Sequence, residues 1–301
     1  MATLPQDLQA VLGPFDENRV RAAAESFGDF GRATRLLHNS GIVSPDVLMG
    51  MSLTLLTGQP RTRRDESDGL ASAIEGNVWV REQLTIHRPC RIDEKWTVVG
   101  SSARHYVRKG RRYGVTTSRT VDGDGLPFVT NCTTGLLSYR ADGSLEDGNE
   151  GSPESEVHIP TVDYTGALSG VDVAAETGKT STVSEPVEMT LALMQHRDGE
   201  SPTNPIHSDP EKAKRAGLRA PIAGGSHVAG FAFELLMREW GPEVLLHGAH
   251  IDVRWKSPTF AGDLLEPSAV VTSVTDELVT IDIAVEPSKL RGTIRIPRAS
   301  V

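Results

Sequence analysis

The chain has 301 residues, enough for one large domain or for two of about 150 residues each. Apolar residues make up 38% and charged residues 24%, which is typical of a soluble globular protein. The formal net charge of −9 argues against a general nucleic-acid or anionic-membrane binder, because such partners require a basic face.

Cysteines and the N-terminal residues indicate the compartment. Cys90 and Cys132 have no metal-ligand spacing, so we expect two buried thiols in a reducing cell rather than a zinc site or a disulfide framework. The first residues lack the basic start and apolar run of a signal peptide, and no later stretch reaches membrane-spanning length. We therefore expect a cytoplasmic protein.

The N-terminal part predicts helices first and strands afterwards. A helical apolar pattern covers 18–37, and a second apolar run covers 47–56 after Ser44 and Pro45, a pair that suits a helix start. β-rich segments follow at 76–87, 95–107, 112–121 and 128–139, with turn sequences at 109–110 and 122–125.

A change of composition divides the chain at 141–160. This segment contains several Asp and Glu, no Lys or Arg, and several Gly, Ser and Pro, a composition typical of a linker. It predicts an N-terminal domain at 1–140 and a C-terminal domain at 161–301.

The C-terminal part repeats the order of the first. Helical patterns cover 210–216 and 223–240, and strands are predicted at 251–256, 269–274, 278–285 and 293–297. In both halves a strand ends at a proline, Pro89 or Pro258, and five residues later an acidic residue, Glu94 or Asp263, precedes the next strand. Two diverged copies of a helix on an antiparallel sheet, packed side by side, would form an α+β protein with a pseudo-twofold axis.

The residues best suited to chemistry lie around the first C-terminal helix. Asp209 followed by Pro210 predicts a helix start in which the carboxylate caps backbone N–H groups. Asn204 and His207 come just before it, and an amide beside an imidazole can position and transfer a proton. Gly224 and Gly225 precede an apolar helix, where glycine allows either a carbonyl group to approach backbone N–H groups or the helix to pack closely on the sheet.

This motif resembles the MaoC-like dehydratase and (R)-specific enoyl-CoA hydratase family. The family pattern runs Asp-x-Asn-Pro-x-His-x-Asp-Pro, then a helix ending near Ala-Gly, then Pro-Ile-Ala-His-Gly. The matching residues are Asn204, Pro205, His207, Asp209, Pro210, Ala216, Gly217, Pro221, Ile222, Ala223 and Gly225. The N-terminal half is similar to the degenerate half of double hotdog members. The resemblance implies an α+β double hotdog fold in which a curved sheet wraps each long helix.

The resemblance also implies an activity and a set of site residues. It implies a hydratase of 2-enoyl thioesters, or a dehydratase of 3-hydroxyacyl thioesters, with CoA or a carrier protein as the handle. His207 would be the acid/base group, Asn204 its positioning partner and the Gly225 backbone the oxyanion donor. No metal, nucleotide or redox cofactor is required, because hydrogen bonds alone can assist enolate formation. By resemblance, a monomer or a homodimer is expected.

Other substrate-binding candidates have competing interpretations. They are Gly224, Ser226, His227, Lys212 and Arg215. His227 could line the same pocket or pack the helix. Lys212 and Arg215 belong to a locally basic helix that could steer the phosphates of the carrier or form a solvated face.

Two departures from the family pattern affect the expected chemistry. Pro202 occupies the position of the family Asp, and Gly224 that of the family His before the helix glycine. Glu200 or Asp198, from a lengthened loop at 195–203, could supply the carboxylate instead. The alternatives are an enzyme with altered chemistry, such as an isomerase, cyclase or thioesterase, and a non-catalytic hotdog protein that binds an acyl chain or supports a partner.

Overall fold

The computed structural model describes residues 9–12, 15–49, 78–100, 104–108, 111–139, 175–198, 205–215 and 218–299. The acidic segment at 141–160 and the turn at 109–110 lie outside these ranges, so the domain boundaries stay a prediction. Within these ranges no helix has the length and apolar character needed to span a membrane.

The N-terminal half begins with a short strand that the sequence did not predict, and then contains helices followed by strands, as the sequence predicts. Its helices are α1 (Glu17–Glu25), α2 (Arg32–Asn39) and α3 (Pro45–Met49). Its strands are β1 (Gln9–Leu12), β2 (Val78–Ile86), β3 (Trp96–Gly100), β4 (Arg104–Arg108), β5 (Arg111–Val121) and β6 (Pro127–Tyr139). The continuous helix predicted over 18–37 is wrong, because Gly28 has φ +55° in a 3₁₀ turn that separates α1 from α2.

The C-terminal half contains the predicted helices and strands and three further elements. Its helices are α4 (Leu191–Asp198), α5 (Pro210–Arg215) and α6 (Gly225–Trp240). Its strands are β7 (Thr180–Thr182), β8 (Val187–Glu188), β9 (His250–Trp255), β10 (Leu264–Val274), β11 (Leu278–Glu286) and β12 (Leu290–Pro297). The sequence did not predict β7, β8 or α4. The loop predicted at 195–203 is wrong for residues 195–198, which belong to α4.

All the described strands of both halves join in one antiparallel sheet. Its order is β1-β3-β5-β6-β2-β9-β12-β11-β10-β7, with β4 beside β5 and β8 beside β10. The halves meet where β2 pairs with β9. Arg81 on β2 crosses this joint and donates to both carboxylate oxygens of Asp252 on β9, at 2.9 and 2.6 Å. Outward from the joint, both halves have the same connectivity, which confirms the predicted α+β repeat.

The acidic turns noted in the sequence also repeat in the structure. Glu94 accepts a hydrogen bond from the backbone N–H of Arg91 at 3.3 Å, and Asp263 accepts one from Phe260 at 2.9 Å. In both cases the acceptor lies three residues after the donor. The two halves therefore share a local turn chemistry as well as a strand order.

A buried carboxylate ties α6 to the helices of the N-terminal half. Glu234, fully buried on α6, accepts the backbone N–H groups of Ala33 at 2.6 Å and Thr34 at 2.9 Å, and the Thr34 hydroxyl at 2.6 Å. These N–H groups belong to the first turn of α2, and no side chain caps α2 from Gly31, the residue before it. Glu234 therefore caps a helix of the other half.

The cysteines are buried thiols, as the sequence predicts. Burial raises the pKa of both groups, that of Cys132 to about 11. A thiol is nucleophilic only as the thiolate, so neither side chain is placed for nucleophilic chemistry at neutral pH.

A second buried carboxyl group, Glu82 on β2, makes stability depend on pH. Its Oε1 accepts a hydrogen bond from Asn131 at 2.8 Å, but burial dominates and raises its pKa from 4.5 to about 8. The folded state then keeps a proton that the unfolded chain releases. Consequently the contribution of Glu82 is fully present below the unfolded pKa and is lost as pH rises through the folded one.

Glu82→Gln is expected to remove this dependence. Relative to the variant, the wild-type free energy of unfolding should fall by up to about 1.4 kcal/mol per pH unit between about pH 5 and about pH 8. Urea unfolding at several pH values measures the difference, with Glu243→Gln, which changes a half-exposed side chain, as the control. Parallel pH profiles for wild type and Glu82→Gln would contradict it.

Candidate active site

Helix α5 begins at the predicted cap. Asp209 Oδ1 accepts the backbone N–H groups of Lys212 at 3.1 Å and Glu211 at 2.9 Å. The hydrogen bond from Lys212, followed by that from Glu211, lowers the pKa of Asp209, because both favour the carboxylate. The capping role is confirmed, and it fixes the start of the helix directly after the turn that carries His207.

His207 is held in a defined orientation. It ends a 3₁₀ turn, Pro205–His207, and its Nδ1 lies 2.7 Å from the carbonyl oxygen of Ile222. A carbonyl oxygen can only accept, so Nδ1 carries the proton and Nε2 is the basic nitrogen of the neutral ring. The backbone N–H of Ile222 returns a hydrogen bond to Ile206 at 3.2 Å. The ring therefore has the tautomer that a general base requires.

A small apolar cluster supports this arrangement. Ala213 of α5 is fully buried and packs with Ile206, Leu218 and Ile222. The cluster joins the turn before α5 to the segment before α6. It thereby fixes the relative position of His207 and the carbonyl group that orients it.

The side chains of the remaining predicted catalytic residues lie outside the described part of the chain. Asn204 and Glu200 lie outside the described residues, and Asp198 is the last residue of α4, with its side chain outside them. Within the part of the chain that the structure describes, no cluster of three or more His, Cys, Asp or Glu side chains could hold a metal ion.

Glycine is required where α6 begins. A Cβ added to Gly225 would lie 2.9 Å from Cε3 of Trp79 and 3.0 Å from Cε2 of Trp255, so a larger residue would displace a ring. Trp255 also donates from Nε1 to the carbonyl oxygen of Gly225 at 3.0 Å. Gly224, the residue before the helix, has no side chain to cap the first N–H groups of α6. Close packing is thus observed, and the same geometry leaves the helix start suited to an anionic oxygen.

An ion pair that the sequence did not predict lies beside this helix start. Arg197 on α4 donates to Oδ2 of Asp46 on α3, and their side chains are only 7% and 1% exposed. Arg197 Nη2 also lies 3.4 Å from Oγ of Ser226, in the first turn of α6. A Cβ added to Gly230 of α6 would lie 3.2 Å from Cβ of Asp46. Asp46 therefore brings a carboxylate of the N-terminal half to the first turns of α6.

His227 packs the interior of the same helix. It is fully buried, its Nε2 donates to the carbonyl oxygen of Ser26 at 3.0 Å, and its ring contacts Phe27 and Phe231. Burial, with a smaller contribution from the charge of Arg197, lowers its pKa to about 3, although the hydrogen bond to the Ser26 carbonyl opposes this shift. These contacts support the helix-packing interpretation of His227.

The predicted phosphate-steering residues lie on the surface of α5. Lys212 and Arg215 are exposed, and Nζ of Lys212 is 3.7 Å from Oδ2 of Asp209. An exposed basic face fits a solvated helix as well as it fits a phosphate-binding surface. The steering role stays a prediction.

Comparison with known proteins identifies the C-terminal half. Residues 173–288 match the family model of the MaoC like domain. The chain contains a MaoC-like domain. This domain contains α4, α5, α6 and the His207 turn. No protein of curated function matches the sequence.

Solved structures similar to the whole chain extend the comparison beyond the MaoC-like domain. A protein named MaoC-like dehydratase is 18% identical, with a TM-score of 0.65 and coverage of 98% of this chain and 97% of that one. The MaoC-like dehydratase from Phytophthora capsici is 16% identical, with a TM-score of 0.60 and coverages of 96% and 93%. A conserved hypothetical protein from Mycobacterium tuberculosis, described as having a double hotdog fold, is 14% identical, with a TM-score of 0.55 and coverages of 98% and 96%. The predicted double hotdog fold is confirmed.

Proposed function

We propose that this protein is a hydratase/dehydratase that interconverts 2-enoyl and 3-hydroxyacyl thioesters of CoA or a carrier protein. The observation that carries the proposal is the His207 tautomer, fixed by the Ile222 carbonyl group within a MaoC-like domain. That tautomer makes Nε2 the basic nitrogen of the ring. Two of the structural neighbours named above are called MaoC-like dehydratases, which supports this reaction class.

Hydration proceeds through one water molecule and one enolate. Nε2 of His207 takes a proton from water while the water oxygen bonds to C3 of the enoyl group. The C2=C3 π electrons move towards the thioester carbonyl, and the enolate oxygen receives hydrogen bonds from the first N–H groups of α6, around Gly225. His207 then returns the proton to C2. Water is consumed as H on C2 and OH on C3, and dehydration is the reverse.

Several partners of this reaction come from the sequence motif. Asn204 would position His207, and the motif offers Glu200 or Asp198 as candidate carboxylates, because Pro202 occupies the position of the family Asp. Lys212 and Arg215 would attract the phosphates of the thioester carrier. Because two hotdog units already pair within one chain, a monomer is sufficient for this site, and a homodimer is equally compatible with it.

The direct test is turnover of crotonyl-CoA and longer 2-enoyl-CoAs by the purified protein. We expect the absorbance of the conjugated thioester to fall and the product to gain the mass of one water. An unchanged mass with a new retention time would indicate an isomerase, and a free acid a thioesterase. No change with any thioester, relative to heat-denatured protein, would overturn the proposal.

A further inference from the structure

We propose that Asp46, a residue of the N-terminal half, is the catalytic carboxylate of this site and that Arg197 positions it. The assignment rests on the hydratase function proposed above. The family motif has an Asp at the position where this chain has Pro202. Asp46, which lies in the described part of the chain, would supply a carboxylate in its place. The degenerate half would then take part in the chemistry.

Burial is the first argument. Desolvating an ion pair is costly, and well-packed apolar side chains of similar volume often stabilise a fold as well or better. Within the described residues, Oδ2 of Asp46 accepts a hydrogen bond from Nη1 of Arg197, while the buried Oδ1 has no hydrogen-bond partner. An unpaired buried acceptor destabilises the fold. Packing alone therefore gives no reason for Asp46 to be a carboxylate.

Location is the second argument. Asp46 lies against Gly230, and Arg197 reaches Ser226, so the pair borders the first turns of α6. His207 lies at the segment that leads into the same helix, because its Nδ1 donates to the carbonyl oxygen of Ile222, three residues before α6, at 2.7 Å. The ion pair and the His207 ring are thus near the same end of α6. A thioester carbonyl group at that helix start would have both groups beside it.

The chemistry assigns one oxygen to each partner. Arg197 donates to Oδ2 of Asp46, which leaves Oδ1 to accept a hydrogen bond from one O–H group of the attacking water. Nε2 of His207 accepts a hydrogen bond from the other O–H group and removes its proton as the water oxygen bonds to C3. The proton passes from His207 to C2, so Asp46 keeps its charge throughout. Asp46 orients the nucleophile, and Arg197 prevents the carboxylate from turning away.

Asp46→Asn tests the role of the carboxylate. We expect kcat for crotonyl-CoA hydration to fall by about 10²- to 10⁴-fold with KM changed by less than about 10-fold, because the amide presents no charge to the water. Asp93→Asn is the matched control, since the Asp93 side chain is 79% exposed on the same half. Glu200→Gln and Asp198→Asn are measured beside it as the competing carboxylates. A larger loss in either of them, with Asp46→Asn near wild type, would overturn the assignment.

Two further measurements separate chemistry from folding. Formate added to Asp46→Ala is expected to raise kcat at least about 10-fold, which loss of structure alone would not allow. The double variant Asp46→Leu/Arg197→Met, which removes both charges, should retain its circular dichroism and bind crotonyl-CoA, as reported by Trp79 and Trp255 fluorescence, yet be inactive.

The outcomes for the assignment and for the proposed function differ. Wild-type kcat in the double variant, with an active wild type, would refute the role of Asp46 and leave the hydratase function standing. An inactive wild type would refute the function, and the role of Asp46 with it. If Asp46→Asn does not fold, the double variant decides between these results.

Discussion

Replacing His207 with Gln is expected to lower kcat for crotonyl-CoA hydration by about 10²- to 10⁴-fold, the usual contribution of general acid–base catalysis. Gln retains an N–H group that can donate to the Ile222 carbonyl, but it has no basic nitrogen to take the proton of water. KM should change much less, because the thioester contacts at the start of α6 remain. The loss therefore appears chiefly in kcat.

Steady-state kinetics of wild type and His207→Gln measure this effect. His247→Gln is the matched control, because His247 lies beyond the opposite end of α6 and bonds to Glu243 at 3.2 Å. The control should retain wild-type kcat. Equal kcat values for wild type and His207→Gln would show that His207 takes no part in proton transfer.

Arg197→Met is expected to lower the free energy of unfolding by about 3–5 kcal/mol, the largest stability effect that we predict. The substitution leaves the Asp46 carboxylate buried without its counter-charge. Adding Asp46→Leu removes that uncompensated charge, so the double variant should lie within about 1 kcal/mol of wild type. The loss of stability in Arg197→Met thus comes from one buried charge without its partner rather than from the absence of the ion pair.

Urea unfolding of the wild type, both single variants and the double variant measures this coupling. Arg91→Met is the control, because Arg91 and Asp93 form an ion pair 62% and 79% exposed, and such pairs contribute about 1 kcal/mol at most. If the two single losses simply add in the double variant, Arg197 and Asp46 do not interact as described.

The ion pair connects the two halves at a place that matters for the proposed chemistry. Asp46 comes from α3 and His207 from the turn before α5, and α6 lies beside both. A site assembled in this way requires the two units to fold together. The Glu234 cap on α2 and the pairing of β2 with β9 hold the same units in one relative position.

The sequence determined the features that depend on neighbouring residues. The Asp209 cap, the turn at 122–125, most strands and the His207 motif all follow from short-range spacing and residue type. Gly28 and α4 were missed because a glycine inside an apolar pattern and an eight-residue helix give weak periodic signals. Asn204, Glu200 and Asp198 stay predictions.

Only the tertiary structure revealed the contacts between distant segments. Arg197 and Asp46 are 151 positions apart, and Glu234 is 201 positions from the Ala33 N–H group that it caps. In the sequence, Asp46 indicated no more than a residue after a helix-starting proline, and Arg197 a charge in a polar segment. Burial and pairing are properties of the packed core rather than of local spacing. The sequence therefore predicted an acyl-thioester site, whereas the carboxylate that we propose for it became visible only when the two halves were folded together.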